Sequence, residues 1–577
     1  MKPTASDTSN AALSRASAIY QMLSTSPGKA WKEARVALKK HPKSERVQFV
    51  AGLAQIARGK RSDARVHFAN AIKLGTAEPD AYLNLAQLSA EVGQLDFALE
   101  VLGKAQARFG DDPRILQARI QAHQAVGAFE GALVAAEEAV AAHPEAVDIR
   151  LLHGLVLSEN GRLLDAIAAL EAVHEDHPRH VLTMINLGRF YSLTNQPARA
   201  LAITERAHEL SADSPVVVEN LALRKRESGE FEVAVKLWDR LANISPALAD
   251  EAVRQMADII PEADVDALDK LVTQRQREAR APLNRAQLGF ARAAIAKRRG
   301  DDAGFEAALK TANQLIAKLR AYDAKADTAR HDKTRALFRE VAPEAITEPA
   351  LTTKPIFIFG LPRSGTTLLE RMVSNSPDVD GLGEVALLFR FFTSVEGAAD
   401  LTQEKLAALR ADYAKYQAFA GSAAWSVDKM PINYQFMGWI NRIFPEAKLI
   451  LLRRDAKDMA LSQFENYFDD ADQNYSFTEA GVLNRHALFE EAVADWTELG
   501  ATFLELTYEE LVSDAEASLR KVADYVGVAF DEGMLKPEAN TGAIRTVSSV
   551  QARRGINQDS MKRWERFPKL LPKVFGA

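Results

Sequence analysis

Seven alanines stand 34 residues apart, at Ala30, Ala64, Ala98, Ala132, Ala166, Ala200 and Ala234, and that period restricts the first half of the chain to a repeat architecture. Seven residues further on, the same phase holds Ala37, Ala71, Ala105, Ala139, Val173, Ala207 and Leu241. Twelve before the first column come Ala18, Gly52, Ala86, Ile120, Gly154, Gly188 and Ala222, nearly all small. Pro42, Pro144, Pro178 and Pro246 close four of the units in one phase. The chain is rich in alanine, so one column alone would mean little; three in phase are not coincidence. The pattern predicts two antiparallel helices per unit, with small residues where the helices cross closely. Gly-containing turns such as Val92-Gly93-Gln94 and Asn160-Gly161-Arg162 reverse the chain, and a helix-breaking proline separates units. Each unit leaves an apolar face that only its neighbours can cover, so the array stacks into a superhelix with a concave groove.

These columns resemble the tetratricopeptide repeat over about residues 11–250. Between 251 and 345 the phase is lost while helical character persists. Leu288-Gly289-Phe290-Ala291, Gly300-Asp301-Asp302, Phe305, Ala307 and Ala308 read as one degenerate repeat, and Lys318–Arg339 as a single long helix leading out of this extension. Pro343 and the proline- and threonine-rich stretch 347–355 mark a boundary. Grooves of this kind take a peptide or protein, and a second copy of the chain is a further candidate occupant. The array by itself names no ligand.

Composition narrows the chemistry. There is no cysteine, which excludes disulfides, thiolate zinc sites and a thiol nucleophile. The formal charge of −6 gives no overall positive field, so neither nucleic acid nor an anionic membrane is an expected partner. No apolar stretch approaches 18 residues and the first 22 residues hold no apolar signal core, so the expectation is a cytoplasmic protein without membrane insertion.

The second half opens on Ile356-Phe357-Ile358-Phe359, a continuous apolar run suited to a buried parallel strand. Gly360-Leu361-Pro362-Arg363-Ser364-Gly365-Thr366-Thr367 follows, then the helical pattern Leu368–Val373. Strand, glycine-bounded loop and helix make an anion cradle of backbone N–H groups at a helix N-terminus. Thr366 stands where a nucleoside-triphosphate loop carries Lys, which argues against an ATPase or GTPase; Arg363 offers a planar cation instead. Ala447–Leu452 reads as a second strand ending in Arg453-Arg454-Asp455, with Ser462 eight residues after Arg454. Phe503–Leu506 reads as a third strand that runs into Thr507-Tyr508-Glu509-Glu510-Leu511-Val512. Strands alternating with helices predict a parallel, doubly wound sheet. His486 reads as a helix-surface residue, and Glu490-Glu491 as a solvated helix face.

The ordered set PIFIFGLPRSGTT, GLGE, VDKMP, LILLRRD, TYEELV and a serine followed by an Arg-Trp pair is similar to the sulfotransferases over about 354–570, above all to the branch with protein-tyrosine sulfotransferases and bacterial repeat-bearing enzymes. The implied architecture is an all-α tetratricopeptide-repeat superhelix followed by an α/β P-loop-type parallel-sheet sulfotransferase domain at 354–577. The implied co-substrate is 3′-phosphoadenosine 5′-phosphosulfate, with no metal. By motif, Gly360, Arg363, Ser364, Gly365, Thr366 and Thr367 would hold the 5′-phosphosulfate, Arg454 and Ser462 the 3′-phosphate, and Tyr508 and Arg563 the rest of the nucleotide. Glu384 would be the general base, useful in that role if burial raises its pKa. Lys429, Arg363 and Ser549 would steady the charge on the departing oxygen. Two positions depart from the tyrosine enzymes: Arg563 replaces Lys, and Asn466 replaces a cation. The acceptor implied is a hydroxyl on a protein or peptide, tyrosine among them, with carbohydrate as the alternative. A repeat scaffold with a non-catalytic nucleotide domain is the competing class.

Overall fold

The computed structural model describes residues 5–540, 542–545, 550–553 and 555–576. It divides into two compact units, Met1–Pro178 and Arg179–Ala577.

The first unit is built of antiparallel helix pairs from Ala5–Met22 to Leu163–Asp176. Both alanine columns lie inward: Ala30, Ala64, Ala98, Ala132 and Ala166, and then Ala37, Ala71, Ala105, Ala139 and Val173, are all fully buried. The third column sits where helices cross. A side chain at Gly52 would run into the Phe68 ring, and one at Gly154 into Leu170. Ala18 is the exception, and is exposed. Gly93 and Gly161 turn the chain at φ 79° and 80°, which only glycine adopts without strain.

The second unit starts with two more pairs in the same phase, Val181–Leu193 with Pro197–Leu210 and Pro215–Ser228 with Phe231–Ile244. Helices Ala249–Ile259 and Val265–Glu278 follow, and then the antiparallel pair Pro282–Arg298 and Asp302–Leu319, where Gly289 lets the backbone approach Ala312. The long helix expected over Lys318–Arg339 forms, but it starts six residues later, at Ala324. The helix Asp302–Leu319 ends first, and Ala324–Val341 begins anew behind Asp323, whose carboxylate accepts from the N–H groups of Lys325 and Ala326. An N-cap of that quality outweighs continuation of the helix.

Beyond it lies a five-stranded sheet of β1 (Lys354–Phe359), β2 (Val379–Gly383), β3 (Trp425–Asp428), β4 (Lys448–Arg453) and β5 (Leu504–Thr507). The order is β2-β3-β1-β4-β5 and every pairing is parallel, with Phe357 opposite Leu449 and Leu451 opposite Glu505. Alternation along the strands buries both faces: Phe357, Phe359, Leu449 and Leu451 join one core, and Ile356, Ile358, Ile450 and Leu452 the other. The strand order reverses beside β1, so the loops leaving β1 and β4 open onto one crevice at the carboxyl edge, where open α/β sheets take ligands.

Candidate functional site

The loop after β1 is held from three sides. Gly360 lies so close to β4 that a Cβ would stand 2.3 Å from the Leu452 carbonyl oxygen. Gly365, at φ 102°, lets the Tyr508 ring pack where its own Cβ would be. The Pro362 carbonyl accepts from the buried Gln463 Nε2 at 2.9 Å. Helix Thr366–Val373 begins at once, so its first-turn N–H groups face the loop. Ser364 is 1% exposed, and its hydroxyl has no partner among the described residues.

Arginines converge on this cradle. Arg363 sits at φ 78° and donates from Nε to Ser462 Oγ (2.9 Å) and from its guanidinium to Gln551 (2.8 Å). Arg454, at the end of β4, donates to the carbonyls of Arg363 (2.9 Å) and Ser560 (2.6 Å), and its guanidinium lies 4.6 Å over the Tyr508 ring. Burial, with Arg454 and Arg563 nearby, pushes the Arg363 pKa down to about 10. Arg563 donates to both oxygens of Glu465, at 2.9 and 2.8 Å. A cavity of about 670 Å³ opens here, lined by Arg363, Gly365, Thr366, Thr367, Arg454, Tyr508 and Arg563 among others. These features fit a phosphate-bearing ligand: glycines that let its oxygens approach, an unpartnered buried hydroxyl, and arginines whose mutual repulsion an anion would relieve.

A second cluster forms beyond β2 and β3. Lys429 is 2% exposed, and its Nζ pairs with Glu384 at 2.5 Å and with Glu370 at 3.9 Å. The Asp428 carboxylate, fully buried at the end of β3, accepts from the Val385 N–H and so fixes the Glu384 turn. Burial holds the pKa of Asp428 well above the usual carboxylate range, and it also raises that of Glu370. Glu384 goes the other way. Burial acts to raise its pKa, but Lys429 and Arg545 outweigh that and hold it below the ordinary value, so the condition under which burial would make it a stronger base is not met. Glu370 lies on the helix that starts at the loop after β1, so the two clusters share one element. Ser549 lies outside the described residues.

Residues 355–532 match the sulfotransferase family. Residues 55–120 match the tetratricopeptide repeat. An uncharacterised protein of Aquifex aeolicus is 25% identical over 424 residues, 69% of this chain and 54% of its own length. The chain thus spans about half of that relative. A putative protein-tyrosine sulfotransferase of Caenorhabditis briggsae is 26% identical over 223 residues, 36% of this chain and 80% of that protein. Among solved structures, a tetratricopeptide repeat protein from Parabacteroides merdae aligns over 42% of this chain and 97% of its own, at 16% identity and a TM-score of 0.35.

The C-terminal sheet domain also engages groups that motif reading passed over. His486 is half-buried rather than on the surface; Nε2 lies 3.0 Å from Gln463 Oε1, and burial pushes its pKa down to about 4. It therefore holds the glutamine that holds the loop. Glu370 and Arg545 complete the Lys429 cluster, and Glu465 organises the arginines. Within the second unit the domain also meets repeat helices: Asn195 Nδ2 donates to the Gly381 carbonyl at 2.6 Å, Gln196 to that of Phe419 at 3.3 Å, and the Ile544 N–H to that of Glu227 at 3.2 Å. No sequence signal marks these pairings, because the partners lie far apart along the chain.

Proposed function

We propose that this protein is a transferase that moves a sulfuryl group from 3′-phosphoadenosine 5′-phosphosulfate to a hydroxyl of a protein or peptide. The observation that carries this reading is the phosphate cradle without a triphosphate-type lysine, backed by Arg363 and Arg454 and joined through Glu370's helix to the Glu384–Lys429 pair. Gly360, Arg363, Ser364, Gly365, Thr366 and Thr367 bind the 5′-phosphosulfate, with Ser364 Oγ as a further donor. Arg454 and Ser462 take the 3′-phosphate, and Tyr508 and Arg563 flank the nucleotide.

Glu384 accepts the proton of the acceptor hydroxyl while that oxygen bonds to sulfur. The bond from sulfur to the bridging oxygen breaks, and its electron pair stays on the departing phosphate. A carboxylate with a depressed pKa is a weak base, so the proton moves late, when the hydroxyl has become acidic by bonding to sulfur. Once protonated, Glu384 no longer shares the charge of Lys429. That charge, with Arg363, then serves the departing oxygen. A protein acceptor is favoured because repeat helices lie next to the base: the Gly383 position, one residue before Glu384, faces Asn195 and Arg545.

Calorimetric titration with 3′-phosphoadenosine 5′-phosphate, with AMP and ATP as controls, tests the donor. Binding that requires the 3′-phosphate is the expected result; a preference for ATP would overturn the reading.

A further inference from the structure

The cavity beside the phosphate loop has a second wall, made by helices outside residues 355–532. Helix Ala249–Ile259 brings Arg254 to it and helix Pro282–Arg298 brings Lys297. In a chain of net charge −6, the described lining of this one cavity carries seven Arg and Lys against four Asp and Glu. The excess is positive where the rest of the molecule is negative.

Lys297 is placed for use. Its Nζ lies 2.9 Å from Glu465 Oε2, although the side chain is 41% exposed and sits in the last turn of its helix, where lysine heads ordinarily move into water. Glu465, 6% exposed, keeps that head at the cavity. Neutralising Glu465 does not require Lys297, because Arg563 already donates to both oxygens. One carboxylate shared by two cations leaves a positive charge over. Glu465 and Asn466 directly follow helix Ala456–Phe464, which carries Ser462 and starts just beyond Arg454. Lys297 therefore faces the cavity beside the Arg454 and Ser462 end, and enters from a different part of the chain.

We propose that Lys297 is a nucleotide-binding residue supplied by the helical extension, and that it recognises a second phosphate on the ligand, apart from the one in the phosphate loop. The inference rests on the donor reading above. It makes the extension a working wall of the donor pocket rather than a spacer.

The test is calorimetry on the full chain at fixed ionic strength, with 3′-phosphoadenosine 5′-phosphate and AMP as probes, for the unmodified protein, Lys297→Met and Lys297→Arg. Lys297→Met should weaken the bisphosphate by about tenfold, the scale of a lost charged hydrogen bond at a part-exposed site, and leave AMP within about twofold. Lys297→Arg should restore most of the loss. An equal fall for both ligands, which a merely structural ion pair would give, overturns the proposal, as does an unchanged ratio. If the unmodified protein does not prefer the bisphosphate, the donor reading fails first and the proposal with it. If it does and Lys297→Met keeps the preference, the proposal alone fails. Because the lysine is part-exposed, neither substitution removes core packing.

Discussion

Glu384 answers to two opposed influences: burial disfavours its charge, and Lys429 with Arg545 favours it more strongly. A carboxylate whose pKa is depressed stays ionised until the pH falls below the ordinary carboxylate value. The kcat/KM profile should therefore run flat from pH 8 to about 5 and show its acid limb only below that. Lys429→Met removes the nearer cation and leaves burial in place, so the pKa of Glu384 should rise and the acid limb of the residual activity should move to higher pH. A pH–rate series on the variant checks this, and a limb that stays put would separate Glu384 from the profile. Glu384→Gln keeps the shape and loses the base. Turnover should fall by roughly 10²–10⁴-fold while affinity for 3′-phosphoadenosine 5′-phosphate changes by less than about twofold, since the group is assigned to the acceptor and not the donor. Kinetics and calorimetry on one preparation measure both.

Among the elements, the phosphate loop tolerates least. Gly360→Ala would place a methyl 2.3 Å from a backbone oxygen of β4, which cannot turn aside as a side chain can. The loop must shift instead, so nucleotide binding should be lost and stability should drop by about 1–3 kcal/mol, read by calorimetry and thermal melting. In the repeats the same reasoning gives a smaller functional effect. Gly154→Val drives into the fully buried Leu170, and should lower the melting transition by a comparable amount with nucleotide affinity unchanged. These sites were visible in the amino-acid order because each reflects a local requirement: a small residue at a helix crossing, a glycine under a neighbouring strand. β1 and β4 were legible as apolar runs, and β5 as the short segment Phe503–Leu506 running into a helix start. β2 and β3 were not, since Asp380, Gly381 and Gly383 break any apolar pattern in Val379–Gly383, and Ser426 and Asp428 do so in Trp425–Asp428. The cap at Asp323 was present in the sequence but was overridden by the helical composition around it. Glu370, Arg545, Glu465 and Lys297 were beyond reach, because what gives each its place is a partner on another element.

At the scale of the molecule, every described lining residue of the 670 Å³ cavity lies between Arg226 and Arg563, inside the second compact unit. A chain lacking residues 1–178 should therefore keep its affinity for 3′-phosphoadenosine 5′-phosphate within about twofold, and calorimetry on that truncation is the check. Substrate handling is a separate matter, since a groove spread over many repeats loses surface with each one removed. The hydrogen bonds from Asn195 to Gly381, from Gln196 to Phe419 and from Ile544 to Glu227 add a constraint of another kind. Repeat arrays lengthen and shorten over generations as whole units are duplicated or lost. Here a duplication beyond residue 195 would carry one partner away from the other and leave the turn before Glu384 without its neighbour, whereas upstream changes meet no such veto. The array is thereby split into a stretch where a unit could be added or lost without disturbing these contacts and a stretch whose unit number the contacts fix.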